Sequence, residues 1–153
     1  MSMNPNVPLF IVTDDSKFKK ISSINGDGFE LKLRKHYYYK GNTVQCYEFG
    51  IMTDGKDGGI FIARVTKKFS DVNEEGHAGI ELTRDNYGEQ LPSRITKAMI
   101  PLFKAHGLKS LMFTCDEDKN AIQEACKELG AEYMDTIAVG PVRPRKMRFK
   151  LAI

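Results

Sequence analysis

Residues 29–40 read FELKLRKHYYYK, with Phe29, Leu31 and Leu33 apolar and Glu30, Lys32 and Arg34 charged between and beyond them. A period of two sends alternate side chains to opposite faces, so the stretch predicts a half-buried strand that turns aromatic toward its end. A Lys-Gly-Asn turn follows, and TVQCYEFGIMT (43–53) predicts the next strand. DGKDGG (54–59) is rich in residues suited to positive φ and predicts a hairpin connection. IFIARVT (60–66) and, beyond a polar loop, AGIELT (78–83) complete four successive strands, an antiparallel meander. Ahead of it, PLFIVTD (8–14) predicts a short strand, and DDSKFKKISSINGDG (14–28) a short helix or loop before a Gly-Asp-Gly turn.

The period changes in the second half. In SRITKAMIPLFKAHG (93–107), Ile95, Met99, Leu102 and Phe103 fall on one helical face, and Gly107 stops the helix. Pro101 inside this pattern removes one backbone hydrogen bond, which predicts a kink costing about 3 kcal/mol unless packing compensates. SLMFTC (110–115) is nearly all apolar, as a strand covered on both faces would be. NAIQEACKELG (120–130) predicts a second amphipathic helix with Ile122, Ala125, Cys126 and Leu129 as its inner stripe. Asn120 and Gln123 suit a capping box at its start, and Gly130 ends it. AEYMDTIAV (131–139) and KMRFKLAI (146–153) predict two closing strands. The order is a β meander followed by β-α-β-α-β-β, one mixed α/β domain over residues 1–153 without repeats or a linker.

Composition changes this picture little. The chain has 153 residues, 41% hydrophobic and 28% charged, which suits a soluble globular domain able to bury a core without staples. Its net charge of +3 is too small to argue for nucleic acid. The one basic cluster, RPRKMRFK (143–150), alternates Met147 and Phe149 with Lys146, Arg148 and Lys150, the period of a half-buried strand. Three cysteines, Cys46, Cys115 and Cys126, lack metal-ligand spacing and read as small buried hydrophobes in a reducing compartment. Without a signal peptide or an apolar run near the roughly 18 residues of a membrane helix, a cytoplasmic protein is expected.

The chemistry concentrates near TRDNYGEQLPSRI (83–95), which leaves a strand, passes a turn and enters a helix with Ser93 and Arg94 in its first turn. A helix entrance offers unpaired N–H groups and the positive end of a dipole, so the segment reads as a simple connection or as an anion cradle. On the preceding strand His77, Gly79 and Glu81 share one face, opposite Ile80 and Leu82. Glu81 and His77 are therefore the candidate general bases. His36 and His106 have weaker claims, since a cation at His106 would simply complement the dipole of the helix end.

Residues 77–133, HAGIELTRDNYGEQLPSRITKAMIPLFKAHGLKSLMFTCDEDKNAIQEACKELGAEY, resemble the core of the GNAT acetyltransferase superfamily, and the order of elements is similar to that superfamily's. Gly76-His77 ahead of the strand and LMFTCDED (111–118) are similar to a bacterial subgroup, in which a proline inside the first long helix also occurs. The resemblance covers residues 76–133 and implies a GNAT-like fold: a mixed α/β (α+β), mostly antiparallel sheet of six to seven strands flanked by helices. It implies acetyl-CoA as cosubstrate, its pantetheine arm along the backbone of Leu82 and Thr83 and its pyrophosphate on Tyr87, Gly88, Glu89, Gln90, Leu91, Ser93 and Arg94. The family's loop pattern meets Tyr87, Gln90 and Pro92 here, so bulk is added and one backbone donor is lost. The family's asparagine at the second helix aligns to Lys119, with Asn120 one residue out of register and assigned to the cofactor. Cys126 stands where many members carry the tyrosine that protonates the departing thiolate, which leaves Tyr133 as the nearest phenol for that role and Glu81 as base.

The resemblance thus implies an N-acyltransferase that passes an acetyl group to a small-molecule or peptide amine by direct attack. The competing reading is a GNAT-like fold without catalysis, acting as a ligand-binding or interaction module. A nucleic-acid reading from RPRKMRFK and HYYY is the weakest, because strand placement explains both stretches. No nucleic-acid, membrane or metal partner is expected, and the chain is expected as a monomer or homodimer.

Overall fold

The computed structural model describes residue 19 and residues 21–39, 43–83 and 90–153. Tyr87, Gly88 and Glu89, and the strand expected at 8–14, lie outside the described residues. The described strands are β1 (Ser23–Gly26), β2 (Phe29–Tyr39), β3 (Val44–Thr53), β4 (Lys56–Val65), β5 (Ala78–Leu82), β6 (Ser110–Asp116), β7 (Glu132–Ile137) and β8 (Lys146–Ala152). A 3-10 turn covers Phe69–Val72, and the helices are α1 (Leu91–Ala105) and α2 (Asn120–Glu128). The mixed, mostly antiparallel class is as expected. Its eight described strands, rather than six or seven, form two antiparallel sheets ordered β1-β2-β3-β4-β5 and β6-β8-β7.

The additional strand is β1, at residues the pattern assigns to a helix or loop. Four residues with one apolar side chain carry almost no periodic signal, and pairing with β2 across the Asp27–Gly28 turn makes them a strand. The β3–β4 connection is tighter than the expected six-residue turn. Thr53 already pairs with Lys56, and Asp54 and Gly55 both adopt positive φ, 51° and 73°. Two left-handed residues match the twist of the flanking strands, so the remaining glycines belong to β4.

One face of both sheets packs against the helices. Leu31, Phe49 and Phe61 of the large sheet join Leu111, Phe113 and Phe149 of the small one, with Ile95, Met99, Leu102 and Phe103 of α1 among them. Each such side chain contributes about 1.5–3 kcal/mol on burial. Four of them on α1 outweigh the cost of about 3 kcal/mol at Pro101. Pro101 itself is exposed, and so is Lys97, whose carbonyl would have met the missing N–H. On the opposite sheet face a smaller cluster of Tyr37, Val44, Cys46, Val72 and Met112 lies under the 3-10 turn.

α2 starts differently from the expected capping box. Lys119 is the cap residue, its N–H bonded to the Asp116 carbonyl at 2.9 Å, and no side chain caps the helix. That tight turn makes Asn120 the first helical residue, and Gln123 donates instead to the Glu117 carbonyl at 2.8 Å.

The two sheets meet at His77. Its N–H donates to the Met112 carbonyl at 2.8 Å, and the Met112 N–H donates to its Nδ1 at 2.9 Å. Nδ1 is therefore an acceptor, which leaves Nε2 to donate to the Thr66 carbonyl at 2.9 Å. Gly76 (φ 72°) makes the approach feasible: a Cβ there would sit 2.8 Å from the Met112 carbonyl oxygen. Any other residue would push the sheets apart.

Candidate active site

Beyond His77 the facing edges of β5 and β6 part without pairing. The register tells which backbone groups line the gap. Arg64 N–H donates to His77 C=O and Thr83 N–H to Gly58 C=O, so alternate residues of β5, including Gly79 and Glu81, are those bonded to β4. The backbone groups of Ala78, Ile80 and Leu82 consequently turn away from β4. Across the gap, Ile153 N–H donates to Lys109 C=O and Glu117 N–H to Arg145 C=O. By the same alternation, Met112, Thr114 and Asp116 turn away from β8. Two strand edges thus confront each other over a cavity of about 520 Å³.

The cavity floor is apolar, with Phe113, Cys115, Ile122, Ala125, Cys126 and Leu129. The large-sheet side contributes Arg64, Glu74, Glu75 and Glu81, and the small-sheet side Asp116, Lys119, Arg143 and Lys146. Arg64 is fixed by the carbonyls of Glu75 and Gly76 at 3.2 and 3.3 Å, and Thr114 Oγ1 donates to the Glu74 carbonyl at 2.8 Å. These bonds tie the loop before β5 across the base of the gap. Lys146 pairs with Asp116 at 2.7 Å.

Pro92 and Thr96 bring the start of α1 to the cavity wall. Gln90 caps the helix in a left-handed conformation (φ 59°) with no side-chain hydrogen bond to the first turn. Ser93 Oγ donates to the Gln90 carbonyl at 2.9 Å and Thr96 Oγ1 to the Pro92 carbonyl at 2.8 Å. Both hydroxyls therefore serve carbonyls, and among the described residues no side chain caps the N–H end of the helix. Leu91 is buried, and Pro92 occupies the first turn, where its missing N–H costs little. Arg94, expected beside an anion, instead donates to the Asp27 carbonyl and lies over the Phe29 ring at 5.8 Å from its centroid.

The other sequence candidates separate clearly. Glu81 is exposed on β5 and lines the cavity. His77 does not offer a base: it is fully buried, both ring nitrogens are engaged, and burial holds its pKa below the ordinary histidine value. His106 is no helix-end cation either, because burial lowers its pKa and its Nε2 meets the Tyr47 hydroxyl at 2.7 Å. His36 packs edge-on against Tyr47, 6.3 Å between centroids. Leu82 turns its backbone to the gap, whereas the Thr83 N–H is already bonded to Gly58. Asn120 is exposed and its neighbour Lys119 lines the cavity instead.

Tyr133 lies on β7, 55% exposed, with its hydroxyl 2.6 Å from Thr136 Oγ1, and it is not among the residues lining the cavity. Tyr133→Phe is therefore expected to leave turnover within about twofold of wild type in a steady-state acetyl-transfer assay. A loss of about 100-fold would return the proton-donor role to it.

Sequence reasoning missed Arg64, Thr114 and Cys115. Arg64 and Thr114 occupy alternate positions opposite buried residues, a signal for the second sheet face, but neither motif nor spacing marks that face as a site. The cations of the RPRKMRFK stretch are mostly paired, Arg145 with Glu117 at 2.9 Å, Lys146 with Asp116 at 2.7 Å and Arg148 with Asp135 at 2.6 Å. Among the described residues no helix is long and apolar enough to cross a membrane.

No protein-family model matches the sequence, and no curated protein does either. Solved structures match it in fold. A structure assigned as an acetyltransferase superposes with a TM-score of 0.66 at 10% identity, over 88% of each chain. RimL, a ribosomal L7/L12 alpha-N-protein acetyltransferase in complex with coenzyme A as a cysteine disulfide, gives a TM-score of 0.58 at 11% identity over 71% of this chain. The match spans 62% of that protein, less than two thirds of its length. The microcin C7 self-immunity acetyltransferase MccE, in complex with acetyl-CoA and AMP, gives 0.58 at 12% identity over 71% of this chain and 61% of that one. At such identities the likeness is one of fold, and with the divided sheet it supports one conclusion: this chain has the fold of the GNAT acetyltransferase superfamily.

Proposed function

We propose that the protein is an N-acetyltransferase that uses acetyl-CoA to acetylate an amine. The observation that carries this reading is the pair of strand edges, unpaired among the described residues, that face each other across the cavity. Buried backbone groups need partners, and an extended ligand with amides of its own can supply them as an added strand would. The backbone of Ile80 and Leu82 would hold such an arm, with Phe113, Cys115 and Ile122 beneath its apolar segments. The start of α1, uncapped by side chains among the described residues, suits an anion there, and the departures at Gln90 and Pro92 add bulk and remove one donor without removing the end dipole.

When bound, acetyl-CoA would supply an activated thioester. The chain's part is to orient an amine and take its proton. Glu81, exposed on β5 at the cavity, would be the group for that task, directly or through water. A backbone N–H of β5 would polarise the carbonyl oxygen under attack. A thiolate can depart without a donated proton, so the reaction does not require a tyrosine among the described residues that line the cavity. The acceptor class is a small-molecule or peptide amine, and the protein acts as a monomer or homodimer.

Calorimetric titration tests this reading. Acetyl-CoA and desulfo-CoA are expected to bind in the micromolar range, about −8 kcal/mol. Absence of heat and of thermal stabilisation at millimolar ligand would reject it and favour an interaction module, the reading that the altered loop and the cysteine at 126 support.

A further inference from the structure

We propose that the acceptor is an amine carrying a carboxylate within a few bonds of its nitrogen, as an amino acid does, and that Arg64 holds this carboxylate. The inference names the acceptor class for the acetyl-CoA cavity and rests on that reading of it. Arg64 lines the large-sheet side of the cavity and is half-buried. Its Nη1 donates to the carbonyls of Glu75 and Gly76 at 3.2 and 3.3 Å, and it has no other hydrogen bond and no carboxylate partner among the described residues. Glu75 directs its own carboxylate elsewhere, Oε2 accepting from the Tyr39 hydroxyl at 3.0 Å and Oε1 from the Glu74 N–H at 3.3 Å. A strut to two carbonyls needs one nitrogen. The donors at Nε and Nη2, and the charge of a group partly withdrawn from water, are left over for a ligand.

Gly79 shapes the seat. A Cβ at that position would stand 2.9 Å from Nη2 and 3.2 Å from Nη1, so the guanidinium lies directly against the backbone of β5 and a larger residue would displace it. Glu81 is the next residue on the same face of that strand, about 6.6 Å further along. An acceptor seated between them meets a cation for its carboxylate and a carboxylate for its amine. Charge also selects the kind of anion. Glu74, Glu75 and Glu81 line the same side of the cavity and disfavour a dianion such as a phosphate monoester, whereas a zwitterion brings no net charge. The other cations of the cavity are placed differently: Lys146 is paired with Asp116 at 2.7 Å, and Lys119 and Arg143 are exposed on the small-sheet side.

Arg64 takes no part in moving the proton or the acetyl group. A guanidinium paired with a carboxylate acts on acceptor binding, which places its effect in KM. The carboxamide of the same amino acid has a neutral oxygen there and forgoes the charge-assisted pair. Arg64→Gln can still donate to one of the loop carbonyls but presents neither charge nor fork. Arg64→Lys keeps a point charge without the planar fork, so its effect should fall between the two.

The test measures thiol release from acetyl-CoA by the full chain, with each standard L-amino acid set against its carboxamide. KM is compared because amidation also alters the amine. At least one amino acid is expected to be accepted, with a KM about 10- to 100-fold below that of its carboxamide. Arg64→Gln should raise the KM for the acid to that of the carboxamide, and leave the carboxamide's KM and the acetyl-CoA affinity within about twofold of wild type. A wild-type ratio near one, an equal loss toward acid and carboxamide in Arg64→Gln, or no amino acid accepted by a chain that binds acetyl-CoA would each overturn the proposal. Absence of acetyl-CoA binding would instead remove the reading on which it rests, and the proposal with it. Should Arg64→Gln fail to fold, the wild-type ratio decides alone.

Discussion

His77→Ala is expected to lower stability by about 3–5 kcal/mol, read as a shift of the urea midpoint. The substitution empties a fully buried site and strands the Met112 N–H and the Thr66 carbonyl, which the ring now satisfies. Each orphaned buried group costs about 1–3 kcal/mol, and the lost packing adds to that. A change within about 1 kcal/mol would mean that water replaces the ring and that the seam does not depend on it. The same residue sets a pH dependence. Burial keeps the folded-state pKa of His77 below that of the unfolded chain, about 6.5. Above pH 6.5 both states are neutral at this residue and stability is full. As pH falls from there toward the lowered folded value, the unfolded chain binds a proton that the native ring refuses, and stability declines by up to about 1.4 kcal/mol per pH unit. His106, lowered by burial as well, adds a slope of the same sign. His77→Gln should remove this residue's share of the decline, so that the profile below pH 6.5 is flatter than that of the wild-type chain.

Glu81→Gln should reduce turnover by about 100-fold, with acetyl-CoA affinity within about twofold of wild type. The amide keeps the size of the side chain and the β5 pairing of residue 81 with Ile60, so folding is spared. What disappears is the proton acceptor. If turnover survives, the amine loses its proton to solvent and Glu81 is a surface residue at the rim. Because the cavity itself would be unchanged, calorimetry on the variant separates a chemical defect from a binding defect.

The legible parts of this fold are those whose signal is local. The alternation of Phe29, Leu31 and Leu33, and of Met147, Phe149 and Leu151, survives intact as core-facing positions. So do the stripes of α1 and α2, because a strong period over nine or more residues resists tertiary override. What could not be read depends on distant partners. His77 looks like any histidine on a strand until Thr66 and Met112, 11 and 35 residues away, close around it. Tyr133 becomes a candidate only because it follows α2 in sequence, and that closeness along the chain does not reveal that its hydroxyl meets Thr136 on β7. Cys126 was correctly read as an inner-face residue, but Cys115, which lines the same cavity, lies on another element and no spacing rule connects them. The gap between β5 and β6 is likewise invisible along the chain, since both strands read as ordinary apolar segments.

The division of the sheet also bears on how the chain reaches its native state. β1 to β5 are joined in sequence order, each strand to the next, so their contacts close over short stretches and can form without the second half. The small sheet has another order: β8 inserts between β6 and β7, and cannot do so until the last residues are available. During synthesis the amino-terminal meander can therefore assemble while the strand that completes the second sheet is still unmade. Until then Phe113 and Leu111 have no β8 to cover them, and the half-built sheet is the species most exposed to aggregation. Docking at Met112 is the step that makes two folding units one, and native-state hydrogen exchange should find the amide of Met112 opening with the smaller unit before the centre of β3 is released.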